Sequence, residues 1–235
     1  MTQTLFIADL HLHESRPQIT QLLVDFLQTN VNDVDALYIL GDLFEAWIGD
    51  DVSMAFYPQV IEALKKFSNH CPVYFMSGNR DFLMGELFVE HTGCELLADY
   101  VVVDLYGTKT LLMHGDLLCS DDVDYQKLRV QLRNKQWQQQ FLAKTPQQRL
   151  QIANDLREQS KQKTQQKDQQ IMDVNPQTVL DTMDKYAVKQ LIHGHTHRPD
   201  IHQMGDRKRL VLGDWYQHGS VLRVDEERVC QQELT

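Results

Sequence analysis

Asp9-x-His11, Gly41-Asp42, Gly78-Asn79-Arg80-Asp81, His114-Gly115-Asp116 and Gly194-His195-Thr196-His197 each set metal-type ligands directly behind an apolar run. Carboxylate and amide oxygens with imidazole nitrogens, and no thiolate among them, suit Mn²⁺, Fe²⁺ or Co²⁺ in expanded coordination better than a tetrahedral structural zinc. Two such cations about 3.5–4 Å apart clamp a phosphoryl group and lower the pKa of a shared water, which is the chemistry of phosphoester and phosphoanhydride hydrolysis. Taken singly, each segment has an ordinary explanation. Asp9 or Asp42 at a strand end serves as a cap or turn residue, Asn79 after Gly78 as a turn, and His114 as a hydrogen-bonded core histidine. His195 and His197 are two of ten histidines. Five segments in one order do not reduce to five coincidences.

The elements that must aim these residues precede them. Leu5–Ala8, Ala36–Leu40, Val73–Met76, Thr110–Met113 and Gln190–Ile192 have the composition of short buried strands. In layered α/β folds ligands bind beyond the carboxyl ends of strands, so five motifs in that position imply one shared site. Helices are expected over Pro17–Leu27, Ala55–Phe67 and Phe82–Thr92, and Asn175-Pro176 supplies the N-cap and first residue of a helix to Tyr186. Tyr100–Leu105 and Thr110–Met113 suggest an antiparallel hairpin about Tyr106-Gly107-Thr108, and Leu210–Leu212 with Val221–Val224 another. The 235 residues fit a single α/β domain over 1–235, without repeats and with enough core to need no disulfide. Cys71, Cys94, Cys119 and Cys230 form no C-x-x-C pair and suit reduced thiols of a cytosolic protein.

Between the fourth and fifth motifs, Asp121 to Asn175 form a Gln-rich stretch without Gly. Leu128, Leu132, Trp137, Phe141 and Leu142 recur with loosely helical spacing and Pro146 interrupts them, so two or more helices are expected. Residues 125–170 hold ten Lys or Arg against three Asp or Glu, a balance of +7 in a chain of −10. The remainder sits at −17. Arg157, Lys161, Lys163 and Lys167 are candidate phosphate partners, and a helix here sets Arg157, Ser160, Thr164 and Lys167 on one face. A solvated basic helix or a coiled-coil arm fits the spacing equally well.

The ordered pattern D-x-H, GD, GNH[ED], H and GHxH over positions 9–197 resembles the calcineurin-like metallophosphoesterase superfamily. The resemblance implies a four-layer α-β-β-α sandwich of two mixed sheets. It also implies that Asp9, His11 and His197 hold one metal, that Asn79, His114 and His195 hold the other, and that Asp42 bridges them. Arg80 stands where the superfamily carries a histidine proposed to protonate the leaving group. Arg does not give up its proton at working pH, but its planar fork holds phosphate oxygens. A leaving group that is itself a phosphate needs no such acid, so Arg80 favours a pyrophosphate bond, with neutral replacement of a dispensable residue as the alternative.

The phrases FIADLHL, ILGDLFEAWIGDD, GNRDFLMGE, LLMHGDLLCSDD, IMDVNP, LIHGHTHRP and LGDW, from position 6 to 215, are similar to the bacterial UDP-2,3-diacylglucosamine diphosphatase branch of lipid A synthesis. That resemblance implies Mn²⁺-dependent release of UMP and lipid 1-phosphate, with two Mn²⁺ (Fe²⁺ or Co²⁺ also fitting) and a helical lid over about residues 122–172. It implies substrate contacts at Asn79, Arg80, Asp122, Ser160, Thr164, Lys167 and His195, with Asn79, Arg80 and His195 at the reacting centre. The expected partners are a UDP-linked diacylated lipid and an anionic inner-membrane surface, with no nucleic acid and no obligate protein partner. No apolar run approaches the roughly 18–20 residues of a spanning helix. A peripheral place on the cytoplasmic face of the inner membrane follows, with Trp137, Phe141 and Leu142 against the headgroups.

Other classes are weaker. A soluble nucleotide pyrophosphatase or cyclic nucleotide phosphodiesterase would use the same metals without an apolar lid. A nuclease needs a broad basic groove, against the −17 remainder, and a noncatalytic module would be expected to have lost ligands. The roles of Asp81, Asp116, His193 and Asp214 stay open between orienting a ligand and satisfying a turn.

Overall fold

The computed structural model describes residues 2–166 and 173–235. In chain order the first half contains β1 (Gln3–Ile7), α1 (Pro17–Thr29), β2 (Val34–Ile39), α2 (Asp50–Ser53), α3 (Pro58–Ser68), β3 (Val73–Met76), α4 (Glu86–Thr92) and β4 (Glu95–Leu97). β5 (Val101–Leu105) and β6 (Thr108–Leu112) follow, then the inserted helices α5 (Val123–Leu132), α6 (Lys135–Leu142) and α7 (Pro146–Gln166). The chain closes with α8 (Pro176–Lys185), β7 (Gln190–His193), β8 (Asp200–Met204), β9 (Arg207–Val211), β10 (Gly219–Val224) and β11 (Val229–Leu234).

Two mixed sheets result, in the orders β11-β10-β1-β2-β3-β4 and β5-β6-β7-β9-β8. The alternation along β1 and its neighbours explains the layering, since successive side chains face opposite sides of a sheet. Leu5, Ile7, Leu37, Ile39, Val73 and Phe75 pack with Leu23 and Leu27 of α1, Val60 and Leu64 of α3 and Phe88 of α4. Phe6, Ala8, Leu40 and Met76 join Leu111, Leu112, Leu191, Ile192 and Leu210 of the second sheet, with Val179 and Met183 of α8. Each fully buried side chain of this size contributes about 1.5–3 kcal/mol. The strand ends that carry the motifs are therefore anchored on both faces.

The hairpin of β5 and β6 forms as expected, in antiparallel register, with Tyr106 and Gly107 at φ 52 and 83. Asn175 caps α8 by accepting from the backbone N–H groups of Gln177 and Thr178. Two helices start later than their apolar pattern suggested. α3 begins at Pro58, which has no N–H to offer inside a helix and suits its first turn. α4 begins at Glu86, where the Asp50 carboxylate accepts from Gly85 N and Phe88 N.

The second expected hairpin does not form. β9 pairs with β7 and β8 in the second sheet, whereas β10 lies between β1 and β11 in the first. Leu212 to Trp215 cross between the sheets, and fully buried Trp215 fixes the crossing by donating from Nε1 to Ser220 O at 2.9 Å. Pro146 divides the insert as expected, standing at the first position of α7 after α6 has ended at Leu142. Thr145 and Gln148 reciprocally bond each other's backbone N–H at that end, Thr145 Oγ1 accepting at 3.3 Å and Gln148 Oε1 at 3.1 Å.

Candidate active site

The ends of β1, β2, β3, β6 and β7 bring all seven expected ligands to one place. Five of them, Asp9, His11, Asp42, His195 and His197, adopt φ between 47 and 70, a region costly for residues with a Cβ. Their loops are tied together to hold it. Asp9 N donates to Gly41 O at 3.0 Å and His11 N to Asp42 O at 2.9 Å. The Asp81 carboxylate accepts from Leu43 N at 2.7 Å and Gly78 N at 2.8 Å, which fastens the Asp42 and Asn79 loops to each other. Burial, with the neighbouring Asp42 charge, pushes the Asp81 carboxyl up to about 6. Close approach also needs glycine: a Cβ on Gly78 would lie 2.1 Å from Asp42 Oδ1, and one on Gly194 2.3 Å from Asp9 Oδ2.

One group converges on Asp9 Oδ1. His197 Nε2 lies 3.4 Å from it and His11 Nε2 3.9 Å, while the two imidazole nitrogens are 3.3 Å apart. The other group forms around Asn79 Oδ1, 3.2 Å from His114 Nε2 and 3.0 Å from His195 Nδ1. Asp42 Oδ2 stands between them, 3.7 Å from His11 Nε2 and 3.8 Å from His114 Nε2. Asp9, His11 and His197, and likewise Asp9, Asp42 and His114, offer ligand atoms within 4.8 Å of one another.

The donor set fits two divalent cations. His114 Nδ1 donates to Leu40 O at 2.8 Å, so Nε2 presents a lone pair inward. Asn79 Oδ1 and the acceptor nitrogen of His195 face that lone pair, and Asp9 Oδ1 is buried without a hydrogen-bond donor. Asn79 satisfies this ring alone only by turning its NH₂ inward, toward His114 Nε2, Asp42 Oδ2 and His195 Nδ1. A cation at the centre keeps Oδ1 there instead. Burial opposes the charge on Asp9, but the His197 contact and three nearby imidazoles hold its carboxyl well below the usual range. Burial, and then His114, push the His195 imidazole down to about 4, leaving it neutral as a ligand must be.

Beside the clusters a cavity of about 380 Å³ is lined by Asn79, Arg80, Asp122, Ser160 and His195 among others. Five of the seven expected substrate contacts thus share one recess. The Thr164 side chain and all of Lys167 lie outside the described residues. Asp122 also caps α5, accepting from Tyr125 N at 3.0 Å. A narrower apolar recess of about 100 Å³ continues under the lid between Leu128, Leu132, Trp137, Phe141 and Leu156. Phe141 is buried, and Trp137 stacks on it at 5.1 Å and tilts against Phe82. These two rings therefore dock the lid on the scaffold rather than facing a headgroup layer; of the expected apolar trio, Leu142 is exposed.

Several open roles are filled. Asp116 accepts from Tyr125 OH and Arg129 Nε, both at 2.6 Å, and so holds α5. His193 donates from Nδ1 to Gly194 O at 2.7 Å and accepts from Arg209 at 3.1 Å. Asp214 Oδ2 lies 3.8 Å from His197 Nδ1. Sequence reasoning missed Glu45, whose Oε2 sits 3.1 Å from His11 Nδ1. It also missed the docking face of α5, although Tyr125, Arg129 and Arg133 recur at every fourth position and so share one side of a helix. Arg157, a candidate phosphate partner, is paired with Glu45 at 3.4 Å.

A profile of calcineurin-like phosphoesterases matches residues 2–199. The chain belongs to this family. It is 49% identical over 229 residues to the UDP-2,3-diacylglucosamine hydrolase of Shewanella pealeana, covering 97% of this chain and 96% of the relative. The enzyme of the same name from Xanthomonas oryzae pv. oryzae is 50% identical over 243 residues, 98% of each chain. The fold is also that of an archaeal phosphodiesterase of known structure, with a TM-score of 0.51 at 12% identity over 99% of this chain and all of the other. Membership makes the protein a hydrolase of the metallophosphoesterase type, whose buried Asp and His groups suit divalent metals.

Proposed function

We propose that the protein hydrolyses the pyrophosphate bond of UDP-2,3-diacylglucosamine in lipid A synthesis, releasing UMP and 2,3-diacylglucosamine 1-phosphate. The observation that carries this reading is identity near 50% across almost the whole chain, lid included, with relatives named UDP-2,3-diacylglucosamine hydrolase. Asp9, His11, Asp42, Asn79, His114, His195 and His197 would hold two divalent cations, in our reading Mn²⁺, which would supply positive charge to clamp the phosphoryl group and acidify the attacking water.

The protein's own groups do the rest. Arg80 lines the cavity beside Asn79, where its fork can take two oxygens of the diphosphate. Because the leaving group is a phosphate, charge neutralisation by Arg80 replaces proton donation. With Nδ1 of His195 turned inward, its Nε2–H remains as a donor for a phosphate oxygen. Asp122 and Ser160 offer an acceptor and a hydroxyl to the nucleoside or sugar, and Thr164 and Lys167 extend that face along the lid. The apolar recess under α5, α6 and α7 takes acyl chain, and the lid excludes water from the reacting centre.

No helix among the described residues is long and apolar enough to cross a membrane. The lipid substrate and the +7 insert support peripheral association with the cytoplasmic face of a bacterial inner membrane. Salt-sensitive cosedimentation with anionic vesicles checks that part. Hydrolysis by purified protein with Mn²⁺ tests the activity, comparing detergent-dispersed lipid substrate with UDP-glucose, a cyclic nucleotide and an aryl phosphate. UMP release from the lipid substrate alone is the expected result, and equal or faster turnover of the soluble esters would sink the lipid assignment while sparing the metal site.

A further inference from the structure

Glu45 stands where scaffold, lid and one ligand cluster meet. Its backbone N donates to Leu12 O at 3.0 Å, which ties it to the segment that carries His11. Its largely buried carboxylate divides between two partners: Oε2 lies 3.1 Å from His11 Nδ1, and Oε1 lies 3.4 Å from Arg157 on α7. The His11 ring is held on its other sides as well. Tyr216 stacks on it at 5.3 Å and 9° between planes, and Arg16 donates to the His11 carbonyl. Its free variable is therefore which nitrogen carries the proton. A carboxylate 3.1 Å from Nδ1, not aligned on it as a hydrogen bond, favours the proton there by its charge and leaves the Nε2 lone pair for a cation shared with Asp9, Asp42 and His197.

Arg157 belongs to the lid, and in the described structure Glu45 is its one acidic contact with the scaffold. We propose that Glu45 is a positioning residue that couples the lid to the metal cluster of Asp9, His11 and His197. Docking of α7 brings Arg157 onto Oε1 and fixes the carboxylate with Oε2 toward His11. A cation on Nε2 would polarise the Nδ1–H toward Oε2 and so restrict the carboxylate to the orientation in which Oε1 faces Arg157. Because coupling free energies are reciprocal, lid docking favours metal at this cluster by the same factor that metal favours lid docking. The inference rests on reading Asp9, His11 and His197 as ligands, and it needs no assumption about the organic substrate.

Mn²⁺ alone is the probe. Free Mn²⁺ followed by electron paramagnetic resonance should show two ions bound by the wild-type chain. Glu45→Gln, nearly isosteric, should weaken one of them about 10–100-fold and leave the other in place as an internal check on the fold. Arg157→Ala should weaken that same ion about fivefold or more, and Arg157→Lys should recover part of the loss. Amide exchange over residues 146–160 should slow on adding Mn²⁺ to the wild type and not to Glu45→Gln. Unchanged affinity for both ions in the two variants, or α7 exchange indifferent to Mn²⁺ in the wild type, overturns the coupling. A wild-type chain that takes up no Mn²⁺ overturns the ligand assignment and this inference with it, whereas loss of the lipid hydrolase reading alone would leave these binding results untouched.

Discussion

The seven candidate ligands sit on short loops that leave the ends of buried strands, while the lid sits on three helices with little apolar surface of their own. None of the residues of α5 is buried, and α6 buries Phe141. Beside the docked rings of Trp137 and Phe141, the lid is fastened by arginines to the acidic scaffold. Arg129 meets Asp116 and Asp99, Arg133 donates to Gly78 O, Arg149 grips Asp51 with the carbonyls of Ile48 and Lys144, and Arg157 reaches Glu45. The four arginines of the insert are therefore engaged in docking rather than waiting for phosphate. The comparison teaches that one region is rigid because its core leaves it no alternative, and the other is held by separable polar contacts, each open to loss on its own.

The sharpest break of that comparison is Asp42→Ala. It removes the carboxylate between both clusters without touching a lid contact, so UMP release should fall about 10³-fold or more while circular dichroism and, without added metal, α7 exchange stay near wild type. A lid that loosened as much as activity fell would show that the two regions are not separable. Next in size is Arg80→His, which restores a titratable group at the reacting centre. Relative to the wild type it should lose about 10²-fold on the pyrophosphate and gain on an aryl phosphodiester, where a general acid is worth about 10²–10⁴-fold. Equal losses on both esters would assign Arg80 to binding alone.

The scaffold was legible in the sequence because its signals are local: an apolar run, then Gly, then a ligand, five times over. The failures came where a contact is made by distant partners. β8 and β11 are polar edge strands with half-exposed side chains, so they leave no apolar run, and β9 and β10 were joined for want of those true neighbours. Glu45 has no motif of its own, because its work depends on His11 and Arg157 arriving from elsewhere in the chain. The lid's basic charge was visible, yet a count of lysines and arginines does not say that Arg129 and Arg149 end on carboxylates. Trp137 and Phe141 were read as outward for the same reason: spacing gives a helix face, and only the fold says what that face meets.

Arg149→Ala tests the lid side in isolation. Its guanidinium donates to Lys144 O at 3.0 Å, Ile48 O at 2.9 Å and both oxygens of Asp51. Losing this set should cost α7 about 1–3 kcal/mol of local stability. The expected readout is faster amide exchange over residues 146–160 and a KM for the lipid substrate raised about tenfold, with kcat nearly kept. A kcat collapse with normal α7 exchange would mean that the arginine acts on the reacting centre and not through the lid.

The smallest effect is the most specific, because it comes from one carboxylate. Hydrogen bonds from Arg149 hold the Asp51 carboxyl below its ordinary value of 3.8, burial opposing them. Its folded pKa is thus lower than its unfolded one, so its contribution to lid docking is complete above pH 3.8 and is lost as the pH falls through the depressed value. The Asp51 side chain is 54% exposed, so the contribution is about 0–1 kcal/mol. Other carboxylates with depressed pKa values, Asp116 among them, titrate in the same acid range, and the informative quantity is the difference between wild type and Asp51→Asn. Exchange protection of residues 146–160 should be higher in the wild type near neutrality, begin to fall toward the variant only below pH 3.8, and meet it below the depressed pKa. Parallel profiles would mean that Arg149 holds the lid through the Ile48 and Lys144 carbonyls alone, and the charge at Asp51 would then be incidental to docking.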